Sequence, residues 1–143
     1  MFTGIKDKIV VVTGGAGLLG REFCQVIAAN GAIAIMAERE LSVAEKTVER
    51  LGIKNIIPAQ IDITNIVSIQ KLITFVSEKF GKIDALVNSA YPRNKNYGKH
   101  FFEVTYDDFC ENVGLNLGGY FLTSQQFAKY FEKQGYGNII NLA

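Results

Sequence analysis

The sequence has few of the residues that build metal sites and disulfide frameworks. Its 143 residues include two cysteines, Cys24 and Cys110, and one histidine, His100. Because no Cys-x-x-Cys pair or Cys/His ligand spacing is present, we expect no metal site and no histidine-based catalytic triad. Each cysteine lies in an apolar, helix-like segment, and we expect both to be free thiols packed in or near the core.

Long apolar runs and an excess of one charge are also missing. The formal net charge is +1, with 48% hydrophobic and 20% charged residues, as is ordinary for a soluble globular protein. This balance argues against nucleic-acid and membrane-surface partners. No apolar run approaches the length of a membrane span, and the first residues carry no signal-peptide core, so the sequence predicts a cytoplasmic protein.

Short apolar strand patterns alternate with helical patterns along the chain. The strand patterns cover residues 9–12, 32–37, 55–61, 83–87 and 138–142, and the helical patterns cover residues 18–30, 42–51, 66–80 and 105–131. Ser42 and Glu45 form a capping-box pattern at the second helix, and Thr105 caps the fourth helix with Asp108 three residues later. The alternation predicts the fold class α/β, as one domain (residues 1–143) with a Rossmann-type doubly wound parallel sheet.

A glycine-rich loop joins the first strand pattern to the first helix. Gly15, Gly17 and Gly20 give the spacing G-x-G-x-x-G. Glycine allows a tight turn, a close approach of the backbone to a pyrophosphate and close packing of helix on strand. The amide groups at the start of the helix then point at the phosphates. The loop predicts a dinucleotide site, and a glycine-rich turn without a ligand is the alternative.

The second strand pattern is followed by an acidic residue, Glu38. A carboxylate at this position accepts hydrogen bonds from the adenosine ribose and repels a 2′-phosphate, which favours NAD. Arg39 follows directly, and its guanidinium could pair with that phosphate, so NADP is the alternative cofactor. A third interpretation is that both residues are a solvated strand end.

With these pieces in place, the chain resembles the short-chain dehydrogenase/reductase family over its whole length. Residues 13–20 are similar to its cofactor loop, with the spacing of its nucleotide-sugar branch, and residues 62–64 to its adenine-contacting segment. Residues 88–91 resemble its Asn-Asn-Ala-Gly motif, although Ser89 and Tyr91 depart from it. Residues 115–121 resemble the helix motif that carries its catalytic asparagine, and residues 137–143 the strand that leads to its catalytic serine.

The resemblance, with the loop and Glu38 above, implies a set of site residues. The cofactor-binding candidates are Thr13, Gly14, Gly15, Gly17, Leu18, Leu19, Gly20, Glu38, Arg39, Asp62, Ile63, Asn88, Ser89 and Ala90. Asn116 would be catalytic, with its freed backbone carbonyl holding a water of the proton relay. Gly114, Gly118 and Gly119 surround it, and each costs about 1 kcal/mol in a helix, which predicts a kink or close packing there. The alternative is a closely packed helix in which Asn116 has no role.

The resemblance further implies an NAD(P)-dependent oxidoreductase that transfers a hydride to or from a secondary alcohol or ketone. In the family, a serine just after the fifth strand and a Tyr-x-x-x-Lys pair beyond it handle the substrate oxygen and the proton. The sequence stops at Ala143. We therefore expect it to be truncated after the fifth strand, to lack these residues, to be inactive alone and to expose an apolar sheet edge. The alternative is a non-catalytic, NAD(P)-sensing regulatory protein on the same fold.

The loop after the fourth strand pattern is a candidate substrate site. Residues 91–99 contain three cations and two tyrosines, and they follow the end of a central strand, where ligands bind in this architecture. Arg93 and Tyr97 would suit a small-molecule substrate with a phosphate or carboxylate, such as an anionic sugar. The resemblance here is to dehydrogenases of flagellin modification and bacterial sugar biosynthesis, and a solvated surface loop is the alternative.

The fourth helix has more apolar residues than one buried stripe requires. We expect one set to face the sheet, namely Phe109, Val113, Leu117, Phe121 and Leu122. We expect Phe127, Tyr130 and Phe131 to extend the apolar surface on the other side. In the family this helix packs against its symmetry mate, so the resemblance implies a homodimer or homotetramer. The alternative is that a further part of the same chain covers this face.

Overall fold

Five parallel strands form one sheet in the order β3-β2-β1-β4-β5. The strands are β1 (Ile9–Thr13), β2 (Ile33–Glu38), β3 (Ile56–Gln60), β4 (Ala85–Asn88) and β5 (Asn138–Asn141). The computed structural model describes residues 3–142, so Met1, Phe2 and Ala143, which belong to the predicted N-terminal segment and to the last motif, lie outside it. The order is that of a Rossmann-type sheet, and the predicted fold class is confirmed.

Helices lie on both faces of this sheet. They are α1 (Leu18–Ala29), α2 (Leu41–Leu51), α3 (Ile66–Phe80), α4 (Tyr106–Val113) and α5 (Gly119–Gln134), and a π-helical turn (Gly114–Gly118) joins α4 to α5. Short 3-10 turns precede β1 (Thr3–Ile5) and α4 (Phe101–Glu103). Among residues 3–142, no helix combines the length and the apolar character that crossing a bilayer requires.

Side chains of the central strands alternate between two cores. Val11 and Ile35 point to the face covered by α3 and α5, whereas Val12 and Met36 point to the face covered by α1 and α2. β1 is buried along its whole length, as its run of β-branched residues predicts. Pro58 lies in β3 and cannot donate a ladder hydrogen bond, which is tolerated because β3 is at the edge of the sheet.

Two local predictions are wrong. The first turn of α2 has Glu40 as its N-cap with no side-chain cap, and the Val43 amide bonds to the Glu40 carbonyl at 3.0 Å. The helix thus begins two residues earlier than the capping-box pattern predicts, and Ser42 lies inside it. Cys110 is exposed on α4, because it lies away from the side of the helix that bears Asp108, whereas Cys24 is buried as expected.

The predicted helix over residues 105–131 is interrupted, and its faces are the reverse of those expected. Its N-cap is correct, since the Thr105 hydroxyl accepts a hydrogen bond from the Asp108 amide at 3.1 Å. Phe127 and Phe131 are buried against the sheet. The exposed apolar stripe is formed by Phe109, Val113, Leu117 and Phe121, and Leu122 is half-buried. Gly119, on the side of the helix that faces the sheet, allows close packing on Ile63, because a Cβ on Gly119 would lie 2.6 Å from Ile63 Cδ1.

Candidate functional site

The glycine loop between β1 and α1 is shaped by close backbone contacts. Gly14 has a φ of +64°, and a Cβ there would lie 2.7 Å from the Ala90 Cα. A Cβ on Gly20 would lie 2.2 Å from the Gly14 carbonyl oxygen. Gly17 is the N-cap of α1, and no side chain caps the first turn. The amide groups at this helix start therefore remain available to a ligand oxygen.

The loop after β4 is tied to the end of β1 by a buried threonine. The Thr13 hydroxyl accepts hydrogen bonds from the amides of Ser89 and Ala90, each at 3.2 Å, and the Ser89 hydroxyl donates to the Thr13 carbonyl at 2.7 Å. Asn88 is fully buried, and its Nδ2 donates to Ser124 Oγ (3.1 Å) and Asn141 Oδ1 (2.8 Å). These contacts hold the carboxyl ends of β1, β4 and β5 and the side of α5 in one rigid unit.

Glu38, the last residue of β2, reaches the glycine loop. Its Oε1 accepts a hydrogen bond from the Ala16 amide at 2.9 Å, which leaves the other carboxylate oxygen free for a ligand hydroxyl. Burial raises the pKa of the Cys24 thiol to about 12, and the charge of Glu38 adds to this effect. Cys24 is therefore an inert thiol beneath the loop rather than a nucleophile.

One cleft of about 570 Å³ brings most of the predicted cofactor residues together. Its lining includes Gly14, Gly17, Leu18, Leu19, Gly20, Glu38, Arg39, Asp62, Ile63, Ser89, Ala90 and Arg93. Thr13, Gly15 and Asn88 are buried behind this surface and support it. Ile61, Thr64, Tyr91, Pro92 and Leu115 also line the cleft, although the sequence analysis does not name them individually as cofactor residues. Ile61 lies next to a quoted motif, and the other four lie within quoted segments.

Asn116 lies at a second cleft, of about 550 Å³, at the centre of the π-helical turn. The turn confirms the irregularity predicted from the surrounding glycines. The Asn116 side chain donates to the Asn112 carbonyl at 2.9 Å, and its buried Oδ1 has no partner among the described residues. Its backbone carbonyl accepts a hydrogen bond from the Gly119 amide, so it is not the freed carbonyl that the resemblance implies. Tyr91 lines both clefts.

The basic loop places one cation at the first cleft. The Arg93 guanidinium carbon lies 5.6 Å from the Tyr91 ring centre and 5.1 Å from that of Tyr97, and the two tyrosine hydroxyls are 3.2 Å apart. Tyr97 thus packs on Arg93 but does not line the cleft. Lys99 lies 3.8 Å from Asp108 and is engaged there rather than with a ligand.

The sequence analysis expects the 143 residues to lack a Tyr-x-x-x-Lys pair. This expectation is wrong as far as the spacing is concerned, because Tyr91 and Lys95 are four residues apart. The pair lies in a loop before β5, where four-residue spacing does not bring two side chains to one face. The hydrogen bond with Tyr97, followed by burial, raises the pKa of Tyr91 despite Arg93 beside it. A proton-transferring tyrosine needs a lowered pKa, so this pair is not the catalytic one.

The cleft fits a dinucleotide. A Cβ on Gly14 or Gly20 would collide with the backbone. Gly17 is the N-cap of α1, and no side chain caps the helix start that borders the cleft. The carboxylate of Glu38 lies at the far side of the same loop, and the volume is within the range of small-molecule sites. These features supply donors for phosphates and an acceptor for a ribose hydroxyl.

Comparison with known proteins gives a consistent result. Residues 8–143 match the family described as short chain dehydrogenase. Post-translational flagellin modification protein A of Campylobacter coli is 41% identical over 143 residues, which cover 97% of this chain and 56% of that protein.

Two solved structures show the same arrangement of elements. A short chain dehydrogenase from Bacillus anthracis matches with a TM-score of 0.84 and 31% identity over 96% of this chain and 55% of that one. Sorbitol-6-phosphate 2-dehydrogenase of Erwinia amylovora matches with a TM-score of 0.76 and 30% identity over 93% and 53%. The chain spans about half the length of the curated relatives it matches.

Proposed function

The chain belongs to the short chain dehydrogenase family, and we propose that it is the cofactor-binding part of an NAD-dependent oxidoreductase that interconverts a secondary alcohol and a ketone. The observation that carries this proposal is the cleft in which the glycine loop and Glu38 meet. The nicotinamide of a bound cofactor would accept or supply the hydride. This chain's own residues bind, orient and select that cofactor.

The cofactor residues divide the work by position. The amides at the α1 start, from Leu18 and Leu19, face the pyrophosphate, and Gly17 leaves room for it. The free oxygen of Glu38 accepts from a ribose hydroxyl, and its charge excludes a 2′-phosphate. Asp62 and Ile63 border the adenine end of the cleft. Thr13, Gly15 and Asn88 act as supports, whereas Ser89 and Ala90 also contribute the cleft wall.

Asn116 is the proposed catalytic residue of this chain. Its Oδ1, which has no partner among the described residues, is an acceptor at the second cleft, beside Tyr91 and Ser124. Acceptors of this kind can hold a water that passes a proton to or from the substrate oxygen.

Direct titration with cofactor tests the proposal. The chain should bind NADH, measured by calorimetry, more tightly than NADPH, because only NADPH places a phosphate near the Glu38 carboxylate. Absence of binding by either cofactor would refute the dinucleotide site. Tighter binding of NADPH would refute the role of Glu38 and assign the ribose end to Arg39.

The substrate proposed for the whole protein is a small anionic molecule such as a sugar phosphate or acidic sugar. Arg93 supports this, because it lines the cleft and has no ion-pair partner among the described residues. A guanidinium binds phosphate or carboxylate in a bidentate manner. In the whole enzyme, Arg93→Ala should lower kcat/KM for an anionic substrate and spare cofactor affinity. Equal loss on a neutral substrate would contradict this role.

We also propose that the whole protein is a homodimer or homotetramer through α4 and α5. The exposed apolar stripe defined above follows one face at four-residue spacing. Gly114 and Gly118 lie beside it with open space where a Cβ would be, so a second helix could approach closely. A second copy of the same face is the proposed occupant, in an isologous contact.

A further inference from the structure

A buried carboxylate joins the basic loop to α4. Asp108 Oδ1 accepts hydrogen bonds from Asn94 Nδ2 at 2.9 Å and Asn96 Nδ2 at 2.7 Å. Its Oδ2 accepts from the Thr105 hydroxyl at 2.9 Å and lies 3.8 Å from the Lys99 ammonium group. The side chain of one residue on α4 thus contacts three residues of the loop, Asn94, Asn96 and Lys99.

Asn94 completes this attachment. Its backbone amide donates a hydrogen bond to Asn112 Oδ1 at 3.0 Å. Its own Oδ1 accepts from Asn112 Nδ2 and from the Asn96 amide, each at 3.1 Å. Its Nδ2 also donates to Glu111 Oε2 at 2.8 Å. A polar network whose members are all satisfied is rigid, and it specifies one loop conformation.

Arg93 directly precedes Asn94, so this network determines where the guanidinium lies. The group is flanked by the Tyr91 and Tyr97 rings and lines the cleft. Cation–π contacts hold the guanidinium while its N–H donors stay free for an anion. Without the attachment to α4, the loop would keep its composition but lose the geometry of this receptor.

We propose that Asp108 is a positioning residue, which holds the loop so that Arg93 receives the phosphate or carboxylate of an anionic substrate. This inference rests on the proposed function of Arg93. Hydrogen bonds from Asn96 and Thr105 lower the pKa of the Asp108 carboxyl to about 2, so the acceptor is ionised throughout the neutral range. Ionised acceptors hold their donors more strongly than neutral ones do.

A purely helix-capping role is the competing explanation, and Asp107 separates the two. Asp107 and Asp108 are both acids of the first turn of α4, and both interact favourably with the helix start. Asp107 is exposed and not part of the network described above. Asp107→Ala therefore removes the same helix-terminal charge as Asp108→Ala and leaves the loop attachment intact.

The test follows the Arg93 side-chain Nε–H signal by NMR in the chain of residues 1–143, with inorganic phosphate as the probe. Arg93→Lys assigns the signal. In the unaltered chain, the ring currents of Tyr91 and Tyr97 should displace it, and phosphate should move it further. In Asp108→Ala, the signal should return towards that of a solvated arginine, and phosphate affinity at this signal should fall about tenfold, the effect of weakening one charge-assisted hydrogen bond. Asp107→Ala should match the unaltered chain.

The outcomes separate this inference from the proposed function. If phosphate does not move the Arg93 signal in the unaltered chain, both the anion receptor and the role of Asp108 are refuted, whereas NADH binding still tests the cofactor site. If Asp108→Ala keeps the displaced signal and the phosphate affinity, the receptor stands and the positioning role is refuted. If Asp108→Ala does not fold, Asn96→Ala replaces it, because it removes the bond of 2.7 Å between the loop and Asp108 Oδ1. An unchanged signal and phosphate affinity in this variant would equally refute the proposal.

Discussion

Gly17→Val offers the sharpest test of the glycine loop. Gly17 is exposed at the mouth of the cleft and has a φ of −67°, which any residue adopts. The nearest atom to a Cβ built there is the Gly14 carbonyl oxygen, at 3.1 Å. A valine side chain would therefore require a shift of a few tenths of an ångström in the loop and would fill the space in front of the helix start.

Gly20 gives the contrasting case. A Cβ there would lie 2.2 Å from the Gly14 oxygen and 2.8 Å from the Gly15 Cα, both of them backbone atoms. Gly20→Ala should lower the free energy of unfolding by about 1–3 kcal/mol, as overpacking does. Gly17→Val should change it by less than about 1 kcal/mol. It should weaken NADH binding about a hundredfold, because losing two amide–phosphate hydrogen bonds costs about 3 kcal/mol.

Calorimetric titration with NADH and urea unfolding measure the two quantities separately. Gly4→Val is the matched control, since a Cβ at Gly4 meets no atom within 4 Å and the residue is remote from the cleft. A folded Gly17→Val chain with unchanged NADH affinity would refute phosphate binding at this loop. Normal stability of Gly20→Ala would refute the close contact between α1 and the loop.

Three further predictions concern charge and surface. Glu38→Gln keeps an oxygen that can accept from the Ala16 amide but removes the charge. The ratio of NADH to NADPH affinity, measured by calorimetry, should therefore fall about tenfold, and an unchanged ratio would show that the charge does not select the cofactor. Burial tends to raise the pKa of Asp84, but hydrogen bonds from the Ile9 amide and from Lys8 and Lys82 lower it overall. The stabilising effect of the Asp84 carboxylate is therefore present above the unfolded pKa of about 3.9 and is lost as the pH falls below it. Asp84→Asn should make the free energy of unfolding in urea fall less steeply as the pH is lowered through this range. An identical slope in the variant would contradict this role. Phe121→Glu, on the exposed stripe, should shift the whole protein to monomer in light scattering, whereas a charge at Phe127 should unfold it, because Phe127 is fully buried; a wild-type protein that is already monomeric at tens of micromolar would refute the interface.

The features that the sequence predicts correctly are those that one local segment specifies. The β-branched run of β1 reads as a strand buried on both faces, and it is one. Gly15 and Gly17 lie between β1 and α1, and Gly20 lies in the first turn of α1, where a Cβ would collide with the loop. In each case a few consecutive residues contain both the structural constraint and its physical reason, so no information from distant parts of the chain is needed.

The faces of α4 and α5 could not be assigned in this way. Two apolar series run at four-residue spacing, one through Leu117 and Phe121 and the other through Phe127 and Phe131. Hydrophobicity alone does not distinguish them. The side that faces the sheet includes Gly119, which packs against Ile63, and Thr123, which is fully buried and whose hydroxyl donates to the Gly119 carbonyl at 2.8 Å. The contact face thus contains a glycine and a threonine whose hydroxyl is hydrogen-bonded within its own helix. From the sequence alone, both residue types would be assigned to the surface.

The sequence is likewise insufficient to assign the functional residues of the basic loop. Its composition indicates an anion receptor, but three cations in nine residues do not show which of them faces a ligand. In the structure, Lys99 lies near the Asp108 carboxylate, whereas Arg93 lines the cleft. That division depends on Asn94 and Asn112, which are distant in sequence and meet only when β4 and α4 are in place. Substitutions on α4 that do not contact a ligand are therefore expected to change substrate specificity, because they alter which cationic side chain of the loop lies at the cleft.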